Sequence, residues 1–266
     1  MLRILVADGT PAAMQAERET FGIPSNASLF EAALRSQQPQ IQCSSINVAD
    51  GQDLPDGLSL EDFDGLMFSG SPLHIYDRTP EVTRQIDFAR AAFTAGLPAW
   101  ASCWGLQLAT VALGGTVRRN PRGRELGVAR RITTTAAGRF HPLLATRPPV
   151  FDALCSHIDE LKQLPSGAVV LAQNELSPIQ ALAVQLPSGK LLFGYAVPSR
   201  VHTIGRGRLN RDAGCKSRGG GVRSRLCRAD RYGPRFPRAG GRAGTPRPGL
   251  ALRHRPRDLG SSAPYS

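Results

Sequence analysis

Leu97-Pro98-Ala99-Trp100-Ala101-Ser102-Cys103-Trp104-Gly105-Leu106-Gln107 is the stretch that decides the fold: a short apolar run leads straight into a cysteine and then into apolar residues at helical spacing. The order is strand, cysteine, helix, and the helix over 104–113 is closed by Gly114-Gly115. Ala101 and Gly105 stand two residues before and two after Cys103. Small residues are needed there because a strand-to-helix corner is sharp and strained, and bulk would strike the neighbouring strand or helix. At a helix N-terminus the sulfur of Cys103 is expected to face unpaired N–H groups and the positive end of the dipole, which favours the thiolate. The Trp104 N–H is placed to help bind an oxyanion. By itself the pattern fits a buried structural cysteine as readily as a nucleophile.

The same alternation extends upstream. Residues 3–8 read as a short buried strand ending at Gly9-Thr10-Pro11, helical stretches follow at 12–20 and 28–36, and further strands are expected at 41–48 and 63–68. Over 79–95 the apolar positions follow helical spacing, with Thr79 as N-cap, Pro80 at the first position, Glu81 in the first turn and Gly96 beyond the end. Repeated β and α elements at this spacing predict an α/β fold, a mainly parallel sheet flanked by helices. Later strands at 127–133, 168–172, 179–185 and 190–194 are joined by Gly, Pro and Asn turns and predict antiparallel pairing at one edge. The polar loop Ser69-Gly70-Ser71-Pro72 stops the third strand, so its tip is expected at the same carboxyl edge as Cys103, where such sheets bind ligands. Glycine there lets the backbone turn its N–H groups inward, and Gly70 and Ser71 are candidates to complete an anion hole.

Composition narrows the class. Of 266 residues 41% are apolar, 20% charged and 6% aromatic, enough for one sizeable core. No run approaches the roughly 18 to 20 apolar residues of a membrane helix, and Asp8 comes too early for a signal peptide, so no membrane association is expected. The cysteines Cys43, Cys103, Cys155, Cys215 and Cys227 form no CxxC pair, which points to a reducing, cytoplasmic compartment and no metal site. The net charge of +12 is uneven: residues 1–195 hold 16 Lys and Arg against 18 Asp and Glu, and residues 196–266 hold 17 against 3. That second segment has 16 arginines, 12 glycines, 7 prolines and no glutamate, so it lacks the periodic apolar faces of a core and is read as a disordered, low-complexity tail. Two regions follow, 1–195 and 196–266.

The first region resembles the class I, triad-type glutamine amidotransferases, in particular those similar to the amidotransferase domain of GMP synthase. The resemblance rests on Asp64-Gly65-Leu66-Met67-Phe68-Ser69-Gly70-Ser71-Pro72, on Ser102-Cys103-Trp104-Gly105-Leu106-Gln107-Leu108-Ala109, on Arg124-Glu125-Leu126-Gly127 and on Ser156-His157-Ile158-Asp159-Glu160, and it covers about residues 1–194. It implies that Cys103 attacks the side-chain amide of glutamine, releasing ammonia and leaving a γ-glutamyl thioester that water hydrolyses, with no cofactor. It also implies that Gly70, Ser71 and Trp104 serve the oxyanion and that Gln107, Ser156 and His157 help hold the substrate. Ala101 stands where the family usually has glycine. No ATP-pyrophosphatase motif follows, so a synthase or acceptor subunit would be a separate chain.

A thiol nucleophile of this type needs a histidine to take and return a proton and a carboxylate to orient it. The family carries both in a His-Pro-Glu motif after the last strand, and that motif is absent: the chain reads Tyr195-Ala196-Val197-Pro198-Ser199-Arg200-Val201-His202-Thr203. One permitted coding of residues 195–203 is TAT GCA GTA CCA TCC CGA GTA CAC ACT. Without its first base it reads ATG CAG TAC CAT CCC GAG TAC ACA, or Met-Gln-Tyr-His-Pro-Glu-Tyr-Thr, with the histidine at Pro198 and the glutamate at Arg200. An extra base near codon 194 thus explains both the missing motif and a tail rich in Arg, Gly and Pro, and the translated chain is expected to be severely impaired. As substitute bases, His141 precedes Pro142 in a loop and is expected to be exposed, His157 is structural or substrate-side by resemblance, and His202 has only Asp212 near it. Two rival functions stand beside the amidotransferase: a non-catalytic binding protein whose arginine-rich tail grips phosphate backbones, and a γ-glutamyl hydrolase or related cysteine peptidase. Nucleic acid is disfavoured as a partner, because two tyrosines and one phenylalanine make a poor stacking platform in the tail.

Overall fold

The computed structural model describes residues 1–196. Their centre is a nine-stranded sheet in the order β2-β1-β3-β4-β11-β10-β9-β6-β7. Its first half is built from β1 (Arg3–Asp8), β2 (Gln42–Asn47), β3 (Gly65–Phe68), β4 (Ala99–Ser102) and β11 (Leu191–Tyr195), all paired in parallel. The second half, β10 (Ala181–Gln185), β9 (Ala168–Gln173), β6 (Glu125–Thr134) and β7 (Val150–His157), is antiparallel. A separate ribbon pairs β5 (Thr116–Arg119) with β8 (Asp159–Gln163).

The central parallel strands β1, β3 and β4 are mostly apolar because helices pack on the sheet. On one face α3 (Pro80–Thr94) and α4 (Trp104–Ala112) bury Val82, Ile86, Ala89, Phe93, Leu106 and Leu108 against Leu5, Leu66, Phe68 and Leu192. Each such side chain removed from water contributes roughly 1.5–3 kcal/mol. On the other face α2 (Asn26–Gln37) lays Ala27 and Phe30 on Val6. The start of α3 is fixed as its sequence requires, with the Thr79 hydroxyl accepting the Val82 N–H at 3.5 Å and Pro80 in the first turn. A short helix α1 (Ala12–Thr20) precedes α2, and α5 (Ala136–Arg139) follows β6.

The α/β architecture, with parallel strands on one side and antiparallel pairing on the other, is the one expected from the sequence. The sequence reading holds no counterpart of β5, α5, β7 or β8. The tail expected from residue 196 lies, beyond Ala196, outside the described residues, as do Pro198, Arg200 and His202.

Candidate active site

Cys103 sits at the corner between β4 and α4 with φ 49° and ψ −104°, one of three residues other than glycine with positive φ among those described. An L-residue held there is strained by about 1–3 kcal/mol, and the surroundings hold it firmly. The Cys103 N–H donates to the Tyr195 carbonyl at 2.7 Å, and the Gly105 N–H donates to the Ser69 carbonyl at 3.1 Å. A Cβ on Gly105 would lie 2.6 Å from Phe68 Cβ and 2.7 Å from its carbonyl oxygen, so α4 approaches β3 only because residue 105 has no side chain. Ala101 is fully buried in the same core, so the methyl group in place of the family's glycine is accommodated.

The Ser69–Pro72 loop lies beside this corner, as its position after β3 led us to expect. The buried Asp8 carboxylate accepts the Thr10 N–H at 3.0 Å and the Ala27 N–H at 3.1 Å, and its Oδ1 is 3.0 Å from the Ser69 hydroxyl. The Gly70 carbonyl accepts from Asn26 Nδ2 at 2.8 Å and from the Thr10 hydroxyl at 3.3 Å. In a trans peptide the following N–H points the opposite way, so the Ser71 N–H faces away from Asn26. Gly70 is not in the left-handed region, and a Cβ there would come no closer than 4.0 Å to Asn26 Nδ2. Glycine at 70 is therefore required neither by φ nor by protein packing; the space beside it is open to a ligand. The Ser71 hydroxyl accepts the Leu73 N–H at 3.3 Å.

Trp104 is buried, with its indole N–H donating to Gln85 Oε1 at 2.8 Å, and its backbone N–H hydrogen-bonds the Cys103 sulfur. Gln107, three residues further along α4, is buried, and its Oε1 has no hydrogen-bond partner among the described residues. Ser156 and His157 alternate across β7. Ser156 is exposed and accepts from Arg124 Nη2 at 3.1 Å. His157 points inward, with Nε2 3.0 Å from Glu125 Oε2 and Nδ1 3.2 Å from the Asp159 carbonyl. Both of its ring nitrogens are thus engaged. Glu125 also accepts from Asn174 Nδ2 at 2.6 Å and from Gln180 Nε2 at 2.7 Å. Burial alone would push the Glu125 carboxyl up, but these hydrogen bonds and His157 together hold it below its ordinary value. His141, expected to be exposed, is instead half-buried: its ring packs edge-on to Phe193 and its Nδ1 accepts the Leu143 N–H at 3.3 Å.

The state of the thiol reverses the expectation. Burial pushes the Cys103 thiol up to about 11; the Trp104 N–H pulls it down, but Asp159 and Cys155 add to the rise. The helix terminus alone therefore does not offset burial, and among the described residues no cation acts on the sulfur. The sequence reading also missed a pair whose carboxylate, Asp159, acts on the Cys103 thiol. His74 Nδ1 is 2.8 Å from Asp159 Oδ2, and the Tyr76 hydroxyl donates to Asp159 Oδ1 at 3.1 Å. The His74 and Tyr76 rings stack at 5.3 Å with 13° between planes. The only signal available was a histidine two residues beyond the Ser69–Pro72 loop; its partner is distant in sequence and joined to it by folding alone. Among the described residues no group of three or more His, Cys, Asp or Glu could hold a metal ion, and no helix is long and apolar enough to cross a membrane.

Comparison with known proteins places this geometry in context. The family model described as glutamine amidotransferase class-I matches residues 26–188. A γ-glutamyl-L-1-hydroxyisopropylamide hydrolase from a Pseudomonas species is 38% identical over 195 residues, covering 72% of this chain and 65% of that protein. The glutamine-hydrolysing GMP synthase of Symbiobacterium thermophilum is 34% identical over 161 residues, 57% of this chain and 28% of that enzyme. The chain thus spans less than two thirds of either relative. A glutamine amidotransferase of known structure from Thermotoga maritima shares the fold, with a TM-score of 0.59 at 17% identity over 75% of this chain and 76% of its own.

Proposed function

Because the chain belongs to the class I glutamine amidotransferases, we propose that residues 1–196 form a module that cleaves the amide at the γ-carboxyl of a glutamyl group, with glutamine as substrate and Cys103 as nucleophile. The observation that carries this is the strained corner at Cys103, held against the Ser69–Pro72 loop by the Gly105 N–H bond to the Ser69 carbonyl. The thiolate adds to the amide carbon, and the N–H groups of Gly70, Ser71 and Trp104 receive the oxygen as it becomes negative. The carbon–nitrogen bond breaks, ammonia leaves with the proton first taken from sulfur, and water hydrolyses the thioester to glutamate. The reaction balances with water alone and calls for no cofactor. The Gln107 Oε1, unpaired among the described residues, offers an acceptor to the substrate.

Without the His-Pro-Glu motif the translated chain turns over slowly, since proton transfer by a positioned group contributes about 10²–10⁴-fold. An added base near codon 194 accounts for the loss, and a nucleotide sequence of that region that is clean and lacks the motif in the neighbouring frame would overturn it. A second reading is favoured by the identity to the Pseudomonas hydrolase: the leaving group is a substituted amine rather than ammonia. In the first case nitrogen passes to an acceptor on a separate synthase chain. Release of ammonia from glutamine and of 1-hydroxyisopropylamine from γ-glutamyl-L-1-hydroxyisopropylamide, each with Cys103→Ala as control, separates the two. Equal release by Cys103→Ala would refute both.

A further inference from the structure

We propose that Gln85 is a positioning residue for amide cleavage: its buried side chain ties the start of α4 to the Ser69–Pro72 loop and so fixes the two sides of the oxyanion site against each other. The assignment rests on Cys103 being the nucleophile. α3 turns Val82, Gln85, Ile86, Ala89, Ala92 and Phe93 into the core, and Gln85, 1% exposed, is the polar one among them. An apolar side chain of similar size would pack there with no amide to desolvate, so burial on the sheet does not explain the residue. Its hydrogen bonds do. Gln85 Oε1 accepts the Trp104 indole N–H at 2.8 Å, and Nε2 donates to the Gly9 carbonyl at 3.3 Å.

These bonds close a ring. The Gly9 N–H donates to the Ser69 hydroxyl at 3.0 Å, and the Ser69 carbonyl accepts the N–H of Gly105, the residue after Trp104, at 3.1 Å. Four parts of the fold thereby meet: α3 at Gln85, the first turn of α4 at Trp104 and Gly105, the chain just beyond β1 at Gly9 and the chain just beyond β3 at Ser69. The contact is tight. A Cβ on Gly9 would lie 2.7 Å from Gln85 Oε1 and 2.8 Å from Trp104 Nε1. The φ of Gly9 is not positive, so glycine is required there by the closeness of that amide and indole. Of the three N–H groups proposed to receive the oxyanion, that of Trp104 lies on one side of the ring, and those of Gly70 and Ser71 follow Ser69 on the other. The ring therefore sets their separation, and a misplacement of about 1 Å in such a site costs about 10²-fold in rate.

Two reactions of the Cys103 sulfur in the full chain, run at one pH and read by peptide mapping, test this role. With glutamine, sulfur bonds to the amide carbon, the carbon–nitrogen bond breaks and ammonia leaves with the sulfur's proton, by way of a negative oxygen. With iodoacetamide, sulfur bonds to the methylene carbon and iodide leaves, and no oxyanion forms. Gln85→Met is expected to slow γ-glutamyl formation on Cys103 roughly tenfold or more while alkylation keeps its rate; a merely structural role would move both or neither. Gln85→Glu keeps an acceptor for the indole but loses the donor to Gly9, and is expected to fall between the parent chain and Gln85→Met. Combining Gln85→Met with Trp104→Phe removes the orphaned indole N–H. Acylation that stays slow in that double variant supports the role, whereas full recovery shows that Gln85 only satisfies the indole and overturns it. Equal acylation of the parent chain and Gln85→Met also overturns it. If glutamine forms no adduct in any chain, the proposed function fails, and amide hydrogen exchange at Gly105 then decides on the ring: faster exchange in Gln85→Met supports it, and unchanged exchange overturns it.

Discussion

Cys103 combines two costs, a left-handed backbone and a thiol that burial keeps protonated, and neither serves the stability of the fold. Replacing it with glycine removes the backbone strain, so Cys103→Gly is expected to raise unfolding free energy by about 1 kcal/mol in urea titration while abolishing amide cleavage. Gly105→Ala acts in the opposite direction. Its methyl group would meet Phe68 at 2.6 Å, and the forced shift of α4 is expected to cost about 1–3 kcal/mol and to lower activity with it. Both small positions were legible in the sequence, because a corner of this kind accepts little else. The protonation state of the sulfur was not, since it depends first on burial and then on Asp159 and Cys155, which only folding brings near. The conformational reason for glycine at 70 was not legible: its φ is not positive, and the open space beside it appears only in the folded chain.

Among the elements, the β6–β7 pair carries the most connected polar cluster. Glu125 on β6 ties His157 at the end of β7 to Asn174 and Gln180 on the path from β9 to β10. Its carboxyl lies below the ordinary value of 4.5 in the folded chain, so its contribution to stability is present above that pH and lost as acid titrates it through the lower folded value. Thermal melts should therefore fall between pH 4.5 and more acid conditions. Glu125→Gln should flatten that dependence and cost about 1–3 kcal/mol at neutral pH, because buried donors lose their charged acceptor. The centre of the parallel half was legible because β1, β3 and β4 are short apolar, largely buried runs. β7 was not: Asp152 and Ser156 interrupt it, and Val150 and Leu154 lie on its exposed face, so neither alternation nor a buried run marks it.

At the scale of the whole molecule the charge separates as the sequence does, with residues 1–195 close to neutral and the remainder strongly basic. The described fold holds the Cys103 corner against the Ser69–Pro72 loop, while the His-Pro-Glu motif that the family carries is missing from the sequence beyond β11. Restoring the frame after codon 194 is expected to raise amide cleavage by about 10²–10⁴-fold over the translated chain, measured as initial rates on glutamine. The most direct measurement is peptide-mapped mass spectrometry of the chain quenched in acid during incubation with glutamine. A γ-glutamyl group on Cys103, formed alongside released ammonia and absent from Cys103→Ala, is the predicted result; ammonia release that survives Cys103→Ala, or an adduct on another residue, would contradict it.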